Sequence, residues 1–458
     1  MIQKFLVHGD ILDSDFRKLL PVNIYDLLLI ISREGFSITL VGGAIRDWLL
    51  TGKLSSDLDF ELRHTFFYDE KEWTYRVNRL GKRLREVYHL QVEFLSFSIL
   101  RVYWPEENVA VELAPARLES YENEGPYGHS DFNVEFLSNG NYEKTFLRRD
   151  FTLNAMGVEF RSPKSEDEFI FIDPYNGYQH LREKVLVPCG PDFSKDPVRF
   201  CRAIRFKNKY KLNYSEKVMK NFPLFDLSKL TDFYFFREAF KGNFFIFTRE
   251  FFNLVDKYQI NLSCELKKIK FLGEVSNIKE ILSINAEQVL IVLTFHEQVS
   301  HNDLETLTKK LGVKESILKN IISLKEMLKN FKLSYSKEVL SKLLESSYVK
   351  GTSLTLEKRV ENLLLDTTYN NLKKFHQLIL KINPHSLDFL VETFNLVTKD
   401  ESDYAEIQAQ LLRVMPVNLL GKDLFKSLLS EFSGESRLRG ELEYLAHFQK
   451  LQETFSEN

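Results

Sequence analysis

A chain of 458 residues exceeds one ordinary domain of about 100–200 residues, so two to four domains with substantial apolar cores are expected. Hydrophobic residues at 44% and charged residues at 28% exclude a disordered or low-complexity protein. A formal charge of −3 excludes nucleic-acid binding through the overall field, so any such partner must meet a local basic surface.

Residues 25–35 read as an amphipathic helix ending at Gly35, which delivers the chain to an apolar, β-branched strand at 37–41. The strand stops at Gly42 and Gly43, where a missing Cβ lets backbone approach a ligand closely. A helix then opens at Ala44, with Arg46 in its first turn. Its first N–H groups lack intrahelical partners and lie at the positive end of the dipole, so a phosphate over Gly43 would satisfy several donors. After Gly52 closes the helix, Asp57 and Asp59 fall on an alternating segment that points both carboxylates to one face. Two like charges held together ask for a cation, and oxygen-only ligands suit Mg²⁺ completed by substrate phosphates. A Gly-Gly pair alone is a turn and Asp-x-Asp alone a solvated strand end; their order, with a helix between, points to a nucleoside triphosphate.

Residues 71–88 read as a charged surface helix, followed by strands at 91–97, 99–104 and 108–113 with a Pro105-Glu-Glu-Asn turn between the last two. The sheet is therefore expected to be mixed or antiparallel. Glu112 could reach the Asp57 and Asp59 face if its strand pairs beside theirs, or it is a solvent-facing edge glutamate. Residues 117–146, with Gly125-Pro126, Gly128 and Asn139-Gly140, read as a long polar loop beside the site. FLRRDFTLNAMGV (146–158) places Arg148, Arg149, Asp150 and Asn154 within two helical turns. DPYNGYQHL (173–181) is a turn-rich link into FSKDPVRFCRAIRF (193–206), where Asp196 and Pro197 mark a helix start. Arg199, Arg202 and Arg205 recur at spacing three with no carboxylate between them, which suits either an anionic ligand or a solvated stripe.

From about 225 onward the spacing is helical. Lys309, Lys310, Lys314, Lys319, Lys325 and Lys329 could line a phosphate-binding surface, although interspersed glutamates favour a solvated face. Cys189, Cys201 and Cys264 lack C-x-x-C spacing, which fits packing residues in a reducing compartment and no zinc site. No apolar run approaches the ~20 residues of a membrane span, and Asp10, Asp13 and Asp15 are unlike a transit peptide, so a cytoplasmic protein is expected.

In order, LVGGAIRDWLL, DLDFEL, VELAPARLESY, RRDFTLNAM, DPYNG and DPVRFCRAIRF resemble the class II template-independent nucleotidyltransferases, the family of CCA-adding tRNA nucleotidyltransferases and bacterial poly(A) polymerases. The resemblance covers roughly 37–206. It implies an α+β fold: a nucleotidyltransferase head with a mixed sheet and helices over 1–150, then an all-helical neck over 151–225 and a body and tail over 226–458 that binds RNA. It implies Asp57 and Asp59 as metal ligands, with Glu112 beside them in the catalytic set. Gly42, Gly43, Arg46, Arg148, Arg149, Asp150 and Asn154 would bind triphosphate and ribose, with Arg202 and Arg205 contributing further, and Asp196 with Arg199 would read the base. Lys195 stands where the family carries glutamate, and could contact phosphate. The family's later S-x-E-R-I element is scarcely recognisable in LTDFYFFREAFK (230–241). The implied activity is addition of CMP and AMP to a tRNA 3′ end from CTP and ATP with Mg²⁺, involving neither membrane nor protein partner. Rival readings are poly(A), CC-only or A-only synthesis, a non-catalytic RNA-binding protein, and a Mg²⁺-dependent glycosyltransferase that also uses D-x-D. The acidic ending LQETFSEN is unlike the basic extension usual in poly(A) polymerases.

Overall fold

The computed structural model describes residues 12–330, apart from 56, 105–108, 122–124, 162–167, 276–283 and 297. The turn expected at 105–108, Lys329 and the chain from 331 on lie outside the described residues or side chains. Two compact units result, one of residues 1–242 and 250–266 and the other of 243–249 and 267–458.

The first unit opens with α1 (Leu12–Leu19) and α2 (Val22–Arg33), which lead into β1 (Ser37–Val41). Then come α3 (Gly43–Thr51), β2 (Leu58–Arg63), α4 (Glu70–Glu86), β3 (Gln91–Phe94), β4 (Leu100–Trp104) and β5 (Val109–Pro115). The strand expected at 91–97 ends at Phe94, because residues Ser96–Ser98 turn as a 3₁₀ segment. Residues 117–146, expected to be loop, instead hold β6 (Arg117–Ser120), β7 (Asn133–Phe136) and α5 (Tyr142–Phe146). β6 and β7 pair antiparallel, and Phe146 and Thr145 are fully buried. Polar turns were visible there, but the cross-strand partners that satisfy the backbone were not.

Further on lie β8 (Gly157–Phe160), β9 (Phe169–Ile172), α6 (Gly177–Arg182), β10 (Val185–Leu186), α7 (Pro197–Tyr210), β11 (Asn213–Tyr214), α8 (Glu216–Asn221) and α9 (Asp232–Phe240). Helix α10 (Phe244–Tyr258) starts in the second unit and ends in the first, and α11 (Cys264–Lys267) lies in the first but for Lys267. The second unit continues through α12 (Ala286–Phe295), α13 (His301–Lys310) and α14 (Glu315–Asn330). No strand follows Tyr214 among the described residues.

Seven strands form one mixed sheet in the order β3-β4-β5-β2-β1-β8-β9, with β2 and β5 parallel and the other neighbours antiparallel. Four strands, β8 to β11, lie beyond residue 150 in the stretch expected to be an all-helical neck, and β8 and β9 carry the sheet past the expected end of the head. Alternation decides what each face does. Leu58, Phe60 and Leu62 of β2, Leu100 and Val102 of β4, and Val111 and Leu113 of β5 face one core with Ile24, Leu28 and Ile31 of α2 and Trp73, Val77 and Leu84 of α4. The opposite face carries a smaller cluster of Val41, Phe146, Ala155, Ile170 and Ile172. The polar members of each strand, Asp59 and Glu112 among them, alternate with the core residues and so fall on this second, incompletely covered face.

Candidate active site

One row of Cα partners crosses five strands: Val41 on β1, Asp59 on β2, Glu112 on β5, Arg101 on β4 and Glu93 on β3. Cα partners share a face, so Glu112 stands beside Asp59, and of its two readings the edge-glutamate one is excluded. Asp57 lies just before β2 rather than on it, and both aspartates are exposed. Despite that exposure, loss of water around its carboxyl raises the Asp59 pKa; Asp57 and Glu112 add to the rise, and Arg149 opposes it. Like charges thus push the carboxylates toward protonation, which a cation would relieve. No three His, Cys, Asp or Glu side chains form a metal-ligand group among the described residues. As exposed oxygen donors, the two aspartates suit a hard cation that takes its other ligands from water and phosphate. Glu61, next on the same face of β2, is different: it is 1% exposed, ion-paired to Arg63 and 3.8 Å from Arg148.

At the end of β1 the chain turns at Gly42, whose φ of +78° is left-handed, and a Cβ there would lie 3.1 Å from Arg149 Nη1. α3 begins at Gly43, one residue earlier than expected, with no side-chain cap, so its first N–H groups are left to a ligand or water. Arg46 is buried against the rings of Phe206 and Tyr210, at 5.1 and 4.6 Å, and donates to Asn154 Oδ1.

The segment 146–158 is a turn, a β-bridge at Phe151 and a 3₁₀ helix at Thr152–Asn154, not two helical turns. Tertiary contacts override the helical spacing. Asp150 accepts from its neighbour's amide, Phe151 N, at 2.8 Å, from Asn154 Nδ2 at 2.9 Å and from Arg202 Nε at 2.6 Å. Burial alone would raise its pKa; Arg202, Asn154 and the Phe151 amide together bring it down to about 2. Arg149 is the contrasting cation. Burial, then the neighbouring Arg148, lowers its pKa to about 10. Its one hydrogen bond runs to the Asn154 carbonyl at 3.3 Å, and no carboxylate lies within ion-pairing distance of it among the described residues.

Helix α7 starts where Asp196 and Pro197 indicate, with Asp196 Oδ1 accepting from Val198 N at 2.9 Å. His129, from the segment between β6 and β7, also meets the Asp196 carboxylate, at 3.0 Å. The spacing-three arginines are not free of acids: Arg199 lies near the capping aspartate of its own helix, and the partners of Arg202 and Arg205 come from other elements. Arg199 Nε lies 3.7 Å from Asp196, and its guanidinium donates to the carbonyls of Arg148 at 2.6 Å and Asp192 at 3.2 Å. Arg202 pairs with Asp150, and buried Arg205 pairs with Glu238 of α9 at 2.7 Å. Lys195 pairs with Asp192 at 2.8 Å and lies over the Tyr121 ring at 5.4 Å. Arg101, His129 and Glu238 escaped notice in the sequence because each matters only through its strand register or tertiary partner. Of the cysteines, Cys201 is buried and Cys264 exposed, so packing does not account for all three. In the second unit Lys309, Lys314 and Lys319 are exposed, while Lys325 Nζ donates to the Thr294 carbonyl at 2.5 Å. No helix among the described residues is long and apolar enough to cross a membrane.

Residues 38–187 match the family described as "Poly A polymerase head domain". The chain is similar to the A-adding tRNA nucleotidyltransferase of Aquifex aeolicus, with 34% identity over 185 residues, 40% of this chain and 20% of that protein. It is also similar to the multifunctional CCA protein of Xanthomonas oryzae pv. oryzae, with 42% identity over 95 residues, 21% of each protein. These matches span about a fifth of the curated relatives' length. A solved structure, the Bacillus stearothermophilus CCA-adding enzyme in complex with CTP, aligns over 93% of this chain and 92% of that one at 14% identity and TM-score 0.49, a likeness too loose to carry an inference. The stretch that matches the poly A polymerase head-domain family, residues 38–187, holds the whole carboxylate row and Arg149.

Proposed function

We propose that this chain is a template-independent nucleotidyltransferase that adds CMP and AMP to the 3′ end of tRNA from CTP and ATP. The observation that carries the reading is the pairing of two exposed, mutually repelling aspartates with a desolvated arginine that has no ion-pair partner among the described residues. Such a site is complementary to a metal-bound triphosphate: carboxylates for the cation, a cation for the phosphates. Nucleotidyltransferases of this kind generally use a divalent metal, and the exposed oxygen donors of Asp57 and Asp59 fit Mg²⁺. When bound there, Mg²⁺ would supply activation of a hydroxyl and neutralisation of pyrophosphate charge.

The protein's own groups do the positioning. The Gly42-Gly43 turn and the start of α3 cradle phosphate, Arg149 offsets its charge, and Arg46, Asn154 and Asp150 hold that turn and each other in place. Asp196 with Arg199 offers an acceptor and donors to a base edge, and Lys195 acts on Asp192 rather than on phosphate. In this reading 1–150, with the strands β8 and β9 that complete its sheet, is the catalytic head, the rest of 151–225 the base-reading neck, and the helical remainder the RNA-binding body and tail of a cytoplasmic enzyme. The 34% identity to an A-adding enzyme favours a second reading in which only AMP is added. Incubating the purified protein with tRNA lacking its 3′ end in CTP, ATP or both, and sequencing the products, tests both. CCA ends support the first reading, A added only to a CC end supports the second, and poly(A) on arbitrary RNA overturns them.

A further inference from the structure

Arg101 has no part in the motifs that mark the site, yet it stands in the same strand row, one strand beyond Glu112. Its Nη2 and Nε both donate to Glu112 Oε1, at 2.7 and 3.2 Å, while Nη1 donates to Glu93 Oε2 at 3.2 Å. Glu93 anchors the far side of the guanidinium, so the arginine is held at both ends. The hydrogen bonds fall on one carboxylate oxygen of Glu112, and Oε2 has no partner among the described residues. A planar guanidinium fixes the plane of the carboxylate it binds, which an ammonium does not.

Strand order gives this clamp a direction. β1 lies on one side of Asp59 and leads into the Gly42-Gly43 turn; β5, with Glu112, lies on the other. Phosphoryl transfer wants attacking and leaving oxygens roughly in line. With the leaving pyrophosphate over Gly42 and Gly43, the attacking oxygen must come from the β5 side, above Glu112.

We propose that Arg101 is a positioning residue that holds the Glu112 carboxylate, through Oε1, so that Oε2 meets the 3′-hydroxyl of the RNA. This rests on the nucleotidyl-transfer reading above. In the step, O3′ forms a bond to the α-phosphorus, the bond from that phosphorus to the bridging oxygen breaks, and pyrophosphate departs with the electron pair. The hydroxyl proton passes to Glu112 Oε2. Arg101 touches neither reactant; it fixes the acceptor. It also leaves the metal to Asp57 and Asp59, consistent with the lack of a three-carboxylate ligand group among the described residues.

The test measures steady-state CTP and ATP addition to tRNA lacking its 3′ end by the parent, Arg101→Met, Arg101→Lys, Glu112→Gln and the double variant Arg101→Met/Glu112→Gln. Arg101→Met should lower kcat about tenfold or more with KM for both nucleotides within about twofold, because the triphosphate groups lie on the other side of Asp59. Arg101→Lys should recover part of kcat, and the double variant should be no slower than Glu112→Gln, since the arginine acts through the glutamate. An unchanged kcat in Arg101→Met, a loss confined to KM, or a double variant showing the product of the single losses overturns the proposal. An inactive parent overturns the functional reading and this inference together, whereas an active parent with an indifferent Arg101 overturns the inference alone. Unfolding midpoints should barely move, because the pair is part-exposed.

Discussion

The open sheet face around Asp59 and the arginine layer along α7 are both densely charged, and they handle that charge in opposite ways. Arg202 and Arg205 each have a carboxylate within 2.7 Å, and Arg199 is bonded to two carbonyls. Asp57 and Asp59 are exposed and repel each other, and Arg149 near them is desolvated, stacked on the Phe146 ring at 4.8 Å and hydrogen-bonded to the Asn154 carbonyl, with no ion-pair partner among the described residues. Paired charge is usually structural, whereas desolvated or repelling charge without an ion-pair partner marks a candidate ligand site. The contrast also separates Glu61 from Asp59, two residues apart on one strand face: the first is closed by Arg63, the second is open.

The sharpest way to break this comparison is at the aspartates. Asp57→Ala or Asp59→Ala should reduce addition of both nucleotides to below about a hundredth of the parent without lowering the unfolding midpoint, because a metal ligand and a repulsion leave together. Turnover above that level would remove the metal assignment. Next in size, Arg149→Ala should raise KM for CTP and ATP alike, by about 10- to 100-fold, since its contact would be with the shared triphosphate. Binding titrations that show weakening for one nucleotide alone would assign it to the base. Arg199→Ala should reduce discrimination between CTP and UTP or GTP by about tenfold, the worth of one good contact of about 1–3 kcal/mol. Uniform loss across four nucleotides would return Arg199 to a packing role on the Arg148 and Asp192 carbonyls.

Asp150 sharpens the comparison through pH. Its folded pKa of about 2 lies below the ordinary value near 3.9, so its stabilisation is present above about pH 4 and is lost as pH falls toward 2. Urea midpoints taken across that window should fall for the parent and fall less for Asp150→Asn, which starts lower. Smallest of all, Lys195→Ala should change kcat and KM by less than about twofold, because a part-exposed ion pair contributes at most about 1 kcal/mol. A larger effect on KM would return Lys195 to phosphate.

The β1 strand, the glycine turn, the following helix and β2 were legible because period-two alternation, two glycines and a closing Gly52 all point the same way. The start of α7 was legible for a similar reason, a capping aspartate followed by proline. What sequence spacing could not convey is partnership between distant segments. Nothing in the run from Arg117 to Phe146 announces that β6 and β7 will pair, and nothing in FLRRDFTLNAM announces that Val187 and Pro188 will draw it out of a helix. Arg202 and Arg205 looked alike at spacing three, yet their acids arrive from positions 150 and 238.

The turn at DPYNG shows how far a mutation can reach without touching a reactant. Asp173 accepts from Gly177 N at 2.7 Å and Tyr178 N at 3.0 Å, seating the start of α6 so closely that a Cβ on Gly177 would lie 2.2 Å from the Thr152 carbonyl oxygen. There is room at that point for a hydrogen and nothing larger. Thr152 opens the single 3₁₀ turn that ends at Asn154, and Asn154 ties Arg46 to Asp150. A methyl group added at Gly177 would therefore have to lift Thr152, and the shift would be delivered two residues later to the side-chain amide that holds Arg46 and Asp150. Gly177 behaves as a shim: chemically silent, set at zero clearance, and fixing the height of everything mounted on the next turn of chain.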